Sequence, residues 1–217
     1  DEYDLLVEET RDPLGNTTRA ENDYRVLQPR QVTDPNGNHS EVAFDALEMM
    51  VGTAVMGKPE EGLGDSLEGF QADLTETEIR RHLADPLRNP HALLQRATTR
   101  IVYDLFAYMR TKDDVQPQPA VVWTLARETH ESDLEEGERT RIQHIFSYSD
   151  GFSREIQKKI QAEPGPVPQR DATGKIIVGA DGQPVMTPHD ISPRWVGSGW
   201  TVFNNKGKPV RKYEPFF

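Results

Sequence analysis

Apolar residues in this chain recur mainly in short alternating runs, which predict strands more often than helices. Residues 3 to 10 predict an opening strand, and Ser40-Glu41-Val42-Ala43-Phe44 alternates polar and apolar positions. Tyr24 to Thr33 is a further strand candidate whose Pro29 suits an edge or bulge. A strand from Met49 to Met56 ends this block, with Gly52 marking a bend. Farther on, Ala120 to Thr129 predicts a strand. Ile142 to Ser149 and Phe152 to Ile160 predict a hairpin around Asp150-Gly151, a preferred type I′ pair. A last hairpin joins Arg194 to Phe203 with Lys208 to Tyr213 through Asn204-Asn205-Lys206-Gly207.

One stretch changes period. Thr75-Glu76-Thr77-Glu78 is a capping box with Leu74 placed as a hydrophobic staple, and it predicts a short helix to Ala84. Asp85-Pro86 stops that helix, and Asn89-Pro90 restarts one. Leu94, Ala97, Ile101, Leu105 and Tyr108 then recur at three and four, widened by Leu93, Val102 and Phe106, so a helix of about 20 residues is expected to reach Thr111. Its stripe reads as core against the adjoining sheet, with a partner groove as the alternative.

The turns carry a repeat. Asp12-Pro13-Leu14-Gly15-Asn16 and Asp34-Pro35-Asn36-Gly37-Asn38 share four of five residues, 22 positions apart, and Asp23 and Asp45 follow at one offset. Proline presets the backbone at the second turn position, aspartate bonds the backbone two residues on, and Gly-Asn tolerates positive φ. Each phrase therefore reverses the chain, and the predicted hairpins need neighbours to bury their apolar faces. The expected fold class is mainly β, antiparallel hairpins with a two-helix insertion, α+β overall. Six segments follow: 1–56 hairpin repeats, 57–73 a flexible linker, 74–112 the helical insertion, 119–162 strands and hairpin, 163–193 a loose Pro/Gly-rich insertion, and 194–217 the terminal hairpin.

Composition narrows the function. A net charge of −11 argues against nucleic acid, whose binding surfaces carry a basic stripe. No run approaches the roughly 18 apolar residues of a spanning helix, and the chain has no cysteine. Asp1 is no initiator, and Tyr213-Glu214-Pro215-Phe216-Phe217 stops in mid-phrase, so an interior piece of a longer chain is expected.

Candidate chemistry is sparse. His39, His82, His91, His130, His144 and His189 are scattered without metal-ligand spacing, and no catalytic motif occurs. The acidic run Glu128, Glu131, Asp133, Glu135, Glu136 and Glu138 lacks the order of a calcium loop and reads as solvated. Trp195 and Trp200 flank Gly197-Ser198-Gly199. They are the ligand-stacking candidates, for a sugar ring, against the alternative that two rings pack around a strand bend. No catalytic, metal or cofactor residue is assigned, and no enzyme is expected.

Asp12-Pro13-Leu14-Gly15-Asn16-Thr17-Thr18, the run from Gln28 to Asn38, Phe44-Asp45-Ala46-Leu47 with Val51-Gly52-Thr53-Ala54-Val55, and the run from Arg194 to Phe217 together resemble the B component of bacterial insecticidal Tc toxin complexes, of the RHS/YD-repeat class. The resemblance implies a segment of a secreted β shell that encloses a toxic C-terminal polypeptide. Its implied partners are the C component and, through the whole assembly, the pore-forming A component, with no nucleic acid and no direct membrane insertion. Glu48 departs from the pattern, standing where glycine is common. The family's autoprotease motif and toxic effector would lie outside this chain, so no catalytic residue carries over. The alternative is a carbohydrate- or protein-binding β module of an RHS-family cell-surface protein. Shell hairpins lean on neighbours, so marginal stability or self-association through open strand edges is expected.

Overall fold

The computed structural model describes residues 1–152 and 154–216. Its main feature is an open ten-stranded sheet, mostly antiparallel, whose strands follow one another in chain order. The chain forms two compact units: Asp1–Asp104 with Trp123–Gln143, and Leu105–Val122 with His144–Phe217.

The first unit begins with a meander of β1 (Glu9–Arg11), β2 (Thr17–Asp23), β3 (Gln28–Thr33), β4 (His39–Phe44) and β5 (Met50–Met56). Its register sets Thr10 opposite Thr18, Ala20 opposite Val32, and Val42 opposite Thr53. The Asp-Pro phrases make the turns. In the first, Asp12 N–H donates to Asn16 O and Gly15 N–H to Asp12 O, both at 3.0 Å, while Asp12 Oδ1 accepts from the Leu14 and Asn16 amides at 2.9 Å. Asp34 to Asn38 repeats every one of these bonds.

Asp45 to Met49 is a third copy. Asp45 N–H donates to Met49 O, Glu48 N–H to Asp45 O, and Asp45 Oδ1 accepts from the Leu47 and Met49 amides. Glu48 occupies the glycine position at φ 65°, beside 91° and 88° for Gly15 and Gly37. The departure at Glu48 therefore leaves the turn intact, and β4 and β5 still pair, with a register shift between Ala43 and Phe44. Across one edge of the meander, Arg25 Nη1 donates to Asp45 O at 2.6 Å, tying the β2–β3 turn to the β4–β5 turn.

The predicted opening strand shortens to its end. Asp1 Oδ1 accepts from the Leu5 amide and Asp4 takes φ 54°, so the first residues form a local turn instead. Residues 57–73, expected as a linker, are held along the sheet. Asp65 N–H donates to Val55 O and Ser66 N–H to Arg96 O, both at 2.9 Å, and Phe70 lies directly over Gly52, where a Cβ would come within 2.5 Å of the ring.

Helix α1 (Glu76–Ala84) starts as the sequence predicts: Thr75 Oγ1 accepts from Glu78 N–H, and Glu78 accepts from Thr75 N–H. The long second helix is not formed. After one turn, α2 (Pro90–Leu94), Gln95 adopts φ 52° and the chain becomes strand β6 (Thr99–Asp104). β-Branched Thr98, Thr99, Ile101 and Val102 favour extended backbone, and burial alternates with period two, with Arg100, Val102 and Asp104 inside. The helical stripe was a coincidence of two elements, because Leu94 and Ala97 are buried whereas Leu105 and Tyr108 are exposed. Leu94, Val102 and Leu125 are core residues of this unit, and each such side chain fully buried contributes about 1.5–3 kcal/mol.

β7 (Ala120–Arg127) and β8 (Ile142–Ser149) continue the sheet in chain order. The second unit adds a short helix α3 (Ala107–Thr111), β9 (Glu155–Ala162), β10 (Arg194–Gly197), and a separate pair of β11 (Thr201–Phe203) with β12 (Pro209–Lys212). The β8–β9 connection is longer than the predicted two-residue turn. Asp150 N–H donates to Arg154 O, and Asp150 Oδ1 accepts from Phe152 N–H. Ser153 of the predicted strand, and Phe217 at the end of the terminal segment, lie outside the described residues. Residues 163–193 form a narrow ladder of backbone bridges, Gly165 to Ile191, Pro168 to Met186 and Val178 to Pro184. Within it, Asp171 to Lys175 closes as the Asp12 turn does, and so does Asn204 to Lys208 in the last hairpin.

Candidate functional site

The two stacking candidates lie in the second unit. Trp195 on β10 pairs with Gln161 of β9, and its ring meets Phe146 edge-on with centroids 5.5 Å apart. Another side of it lines a groove of about 530 Å3 formed with Val167, Pro168, Ile191, Pro193 and Arg194. Trp200 is 41% exposed and is not among the residues lining that groove.

The glycines between them have a backbone role. Gly197 exchanges two backbone hydrogen bonds with Phe216, at 2.7 and 3.0 Å, and a Cβ there would come within 3.0 Å of the Phe216 ring. Gly199, at φ 80°, lies so close to Tyr213 that a Cβ would sit 1.9 Å from its carbonyl oxygen. Both sites admit the returning segment at contact distance.

The most connected polar cluster is one the sequence did not single out. Asp65, 4% exposed, sits in the first unit and accepts from Thr98 Oγ1 and from the Glu131 amide. Its Oδ2 lies 2.8 Å from His130 Nδ1, and its Oδ1 lies 3.1 Å from Arg127 Nη1. Arg127 also donates to Ala97 O and Gln95 O and pairs with Glu131 at 2.9 Å. The Asp65 carboxylate and the Arg127 guanidinium bond within this node or to the backbone, which makes it a structural clamp. Asp65 lies in a Gly- and Glu-rich run that gives no sign of burial; the buried alternation of β7, which ends on Arg127, is the one available signal.

Arg100 is buried nearby in sequence and lies over the Phe70 ring at 4.5 Å, donating to Gln71 O and Ala72 O. Burial pulls its guanidinium down to about 10, which leaves it charged at neutral pH.

The histidines do not converge. His39 bonds Gln31, His91 bonds Thr140 O, His82 contacts Arg81, and His130 joins the Asp65 node. His144 is buried on β8, and His189 is exposed. Within the acidic run, Glu128 pairs with Arg141 and Glu138 accepts from Glu135 N–H. Among the described residues, no three His, Cys, Asp or Glu side chains come together in a group that could hold a metal ion. No helix among them is long and apolar enough to cross a membrane.

No protein-family model matches the chain, and no curated protein does. Solved structures do. The TcdB2-TccC3 crystal structure matches 97% of this chain and 9% of its own, at TM-score 0.64 and 26% identity. TcdB2-TccC3-Cdc42 matches 98% of this chain and 12% of its own, at TM-score 0.65 and 22% identity. The Photorhabdus luminescens Tc holotoxin pore, carrying TccC3-D651A, matches 98% and 11%, at TM-score 0.62 and 22% identity. This chain thus spans about a tenth of the length of the structures it matches. The described chain has a Tc toxin-related fold.

Proposed function

We propose that this chain is a non-catalytic wall segment of the B component of a secreted insecticidal toxin complex, an interior part of an RHS-repeat shell. In this reading the shell encloses a toxic C-terminal polypeptide. The C component completes the container, the pore-forming A component receives it, and the assembly acts in virulence. The match over 97% of this chain to TcdB2-TccC3 carries the reading. The open sheet supports it, because strands added in chain order extend a wall without requiring a pocket. The recurrent Asp turn supplies the same reversal at successive positions along that sheet.

Electron microscopy of the parent protein co-expressed with its encoded partner tests this. The expected result is a closed hollow particle containing both chains. A parent that remains open or binds no second chain would overturn it.

A second reading, a carbohydrate- or protein-binding β module, draws on the exposed Trp200 and the Trp195 groove. Glycan binding abolished by Trp200→Ala would favour it over the wall.

A further inference from the structure

The first unit has an open cleft of about 500 Å3 where α1 and α2 meet β6, and cationic side chains dominate its chemistry. Arg81 and His82 reach it from the last turn of α1, Arg88 from the loop before α2, and buried Arg100 from β6. Amide side chains of Gln71 and Gln95 add donors.

Two acids line the cleft with them, and Glu78 lies within electrostatic reach of Arg81 and Arg100. Glu78 is committed to the capping box, accepting from Thr75 N–H at 2.8 Å and Thr75 Oγ1 at 2.7 Å. Asp85 stands at the C-cap position of α1 and also lines the cleft, and its carbonyl oxygen accepts from the Arg88 amide at 3.3 Å. Among the described residues neither Arg81 nor Arg88 has a carboxylate at ion-pair distance; Arg81 contacts His82 at 3.1 Å. In a chain with 36 acidic and 25 basic residues, a lining of three arginines against two acids is a local reversal of charge. Among the described residues, the buried Arg100 Nε has no hydrogen-bond partner.

We propose that this cleft binds an acidic peptide segment of a partner protein, with Arg81 and Arg88 receiving its carboxylates. Guanidinium and carboxylate groups match as paired donors and acceptors, which makes arginine the fitting cation for such a ligand. The cleft has the volume of a site for several side chains, and a single inorganic anion would fill little of it. The overall charge of −11 repels polyanions, so any attachment must come from a local cluster of this kind.

Titration of the chain with fluorescein-labelled hexaglutamate, followed by anisotropy, tests the assignment. Saturable binding is expected, weakened about tenfold or more by the double substitution Arg81→Gln, Arg88→Gln. Arg30→Gln removes the same charge from β3, where Arg30 pairs with Glu21, and should leave affinity within about twofold. Circular dichroism checks that the exposed substitutions leave the fold intact. Absence of saturable binding, or equal binding by the double variant, overturns the proposal. So does displacement by inorganic phosphate at ionic strengths where chloride does not displace, which would mark a site for compact oxyanions. None of these outcomes depends on the shell reading.

Discussion

Arg127 and Asp65 form an ion pair at 3.1 Å with side chains 2% and 0% exposed, joining β7 to the segment that follows β5. A buried pair is hard to interpret as net stabilisation, because desolvation opposes the attraction. Its loss on one side is easier to predict. Asp65→Asn leaves the Arg127 charge dependent on half-exposed Glu131, and the first unit should lose about 3–5 kcal/mol, read by urea unfolding. Replacing both partners, Asp65→Leu with Arg127→Met, should cost clearly less than the single change. Equal losses would contradict the clamp.

The Asp45 turn makes the opposite prediction at Glu48. A non-glycine residue at φ 65° is in the left-handed region, and the exposed Glu48 side chain has no hydrogen bond among the described residues. Glu48→Gly should stabilise the chain by about 0.5–1 kcal/mol, seen as a raised urea midpoint. Gly37→Ala, in the equivalent position of the Asp34 turn, should destabilise by a similar amount. A lowered midpoint for Glu48→Gly would show that the left-handed residue is not strained.

Acid should loosen these turns. The Asp34 carboxyl is held below its ordinary value of 3.8, first by the Asn38 side-chain amide and then by backbone amides; Asp12 is held down likewise by Asn16. A depressed folded value means that the stabilisation is fully present above pH 3.8 and is lost as the pH falls through the lower folded value. Asp34→Asn keeps the Oδ1 acceptor without the titration. Its unfolding midpoint should fall less between pH 5 and pH 2.5 than that of the parent, roughly the interval in which such a carboxylate titrates. An unchanged slope would remove Asp34 from the acid response.

Gly52 tests the packing of the segment formerly expected as a linker. A Cβ at this position meets the Phe70 ring at 2.5 Å, and that ring is backed by Arg100. Gly52→Ala should cost about 1–3 kcal/mol by overpacking, and Phe70→Leu in the same chain should recover part of it. Gly62→Ala in the same loop region has open space around its Cβ but φ 62°, so its cost should be limited to backbone strain, smaller than at Gly52.

Among the elements, the turns and the α1 cap were legible because their causes are local. Aspartate, glycine and asparagine at fixed offsets close Asp12 to Asn16 whatever lies beyond, and Thr75 finds Glu78 three residues away. The resemblance drawn from the Asp-Pro turns and the run from Arg194 pointed to the fold that the solved structures share. The long helix failed because three-and-four spacing in Leu94, Ala97 and Ile101 did not reveal that Gln95 turns left-handed and that β5 offers a pairing edge to Thr99 and Arg100.

The candidate site divides in the same way. Trp195 and Trp200 were visible as residues, but their separation into a groove wall and an exposed ring arises from strands far apart in sequence. Asp65 and the arginines of the cleft gave no pattern, and Arg127 gave only its place at the end of the β7 alternation. The sequence by itself determined where the chain reverses and which segments alternate, since those depend on neighbours within a few residues. Only tertiary structure decided which charges are buried, paired or left facing a cleft, because burial and electrostatic partnership depend on residues brought together across dozens of positions.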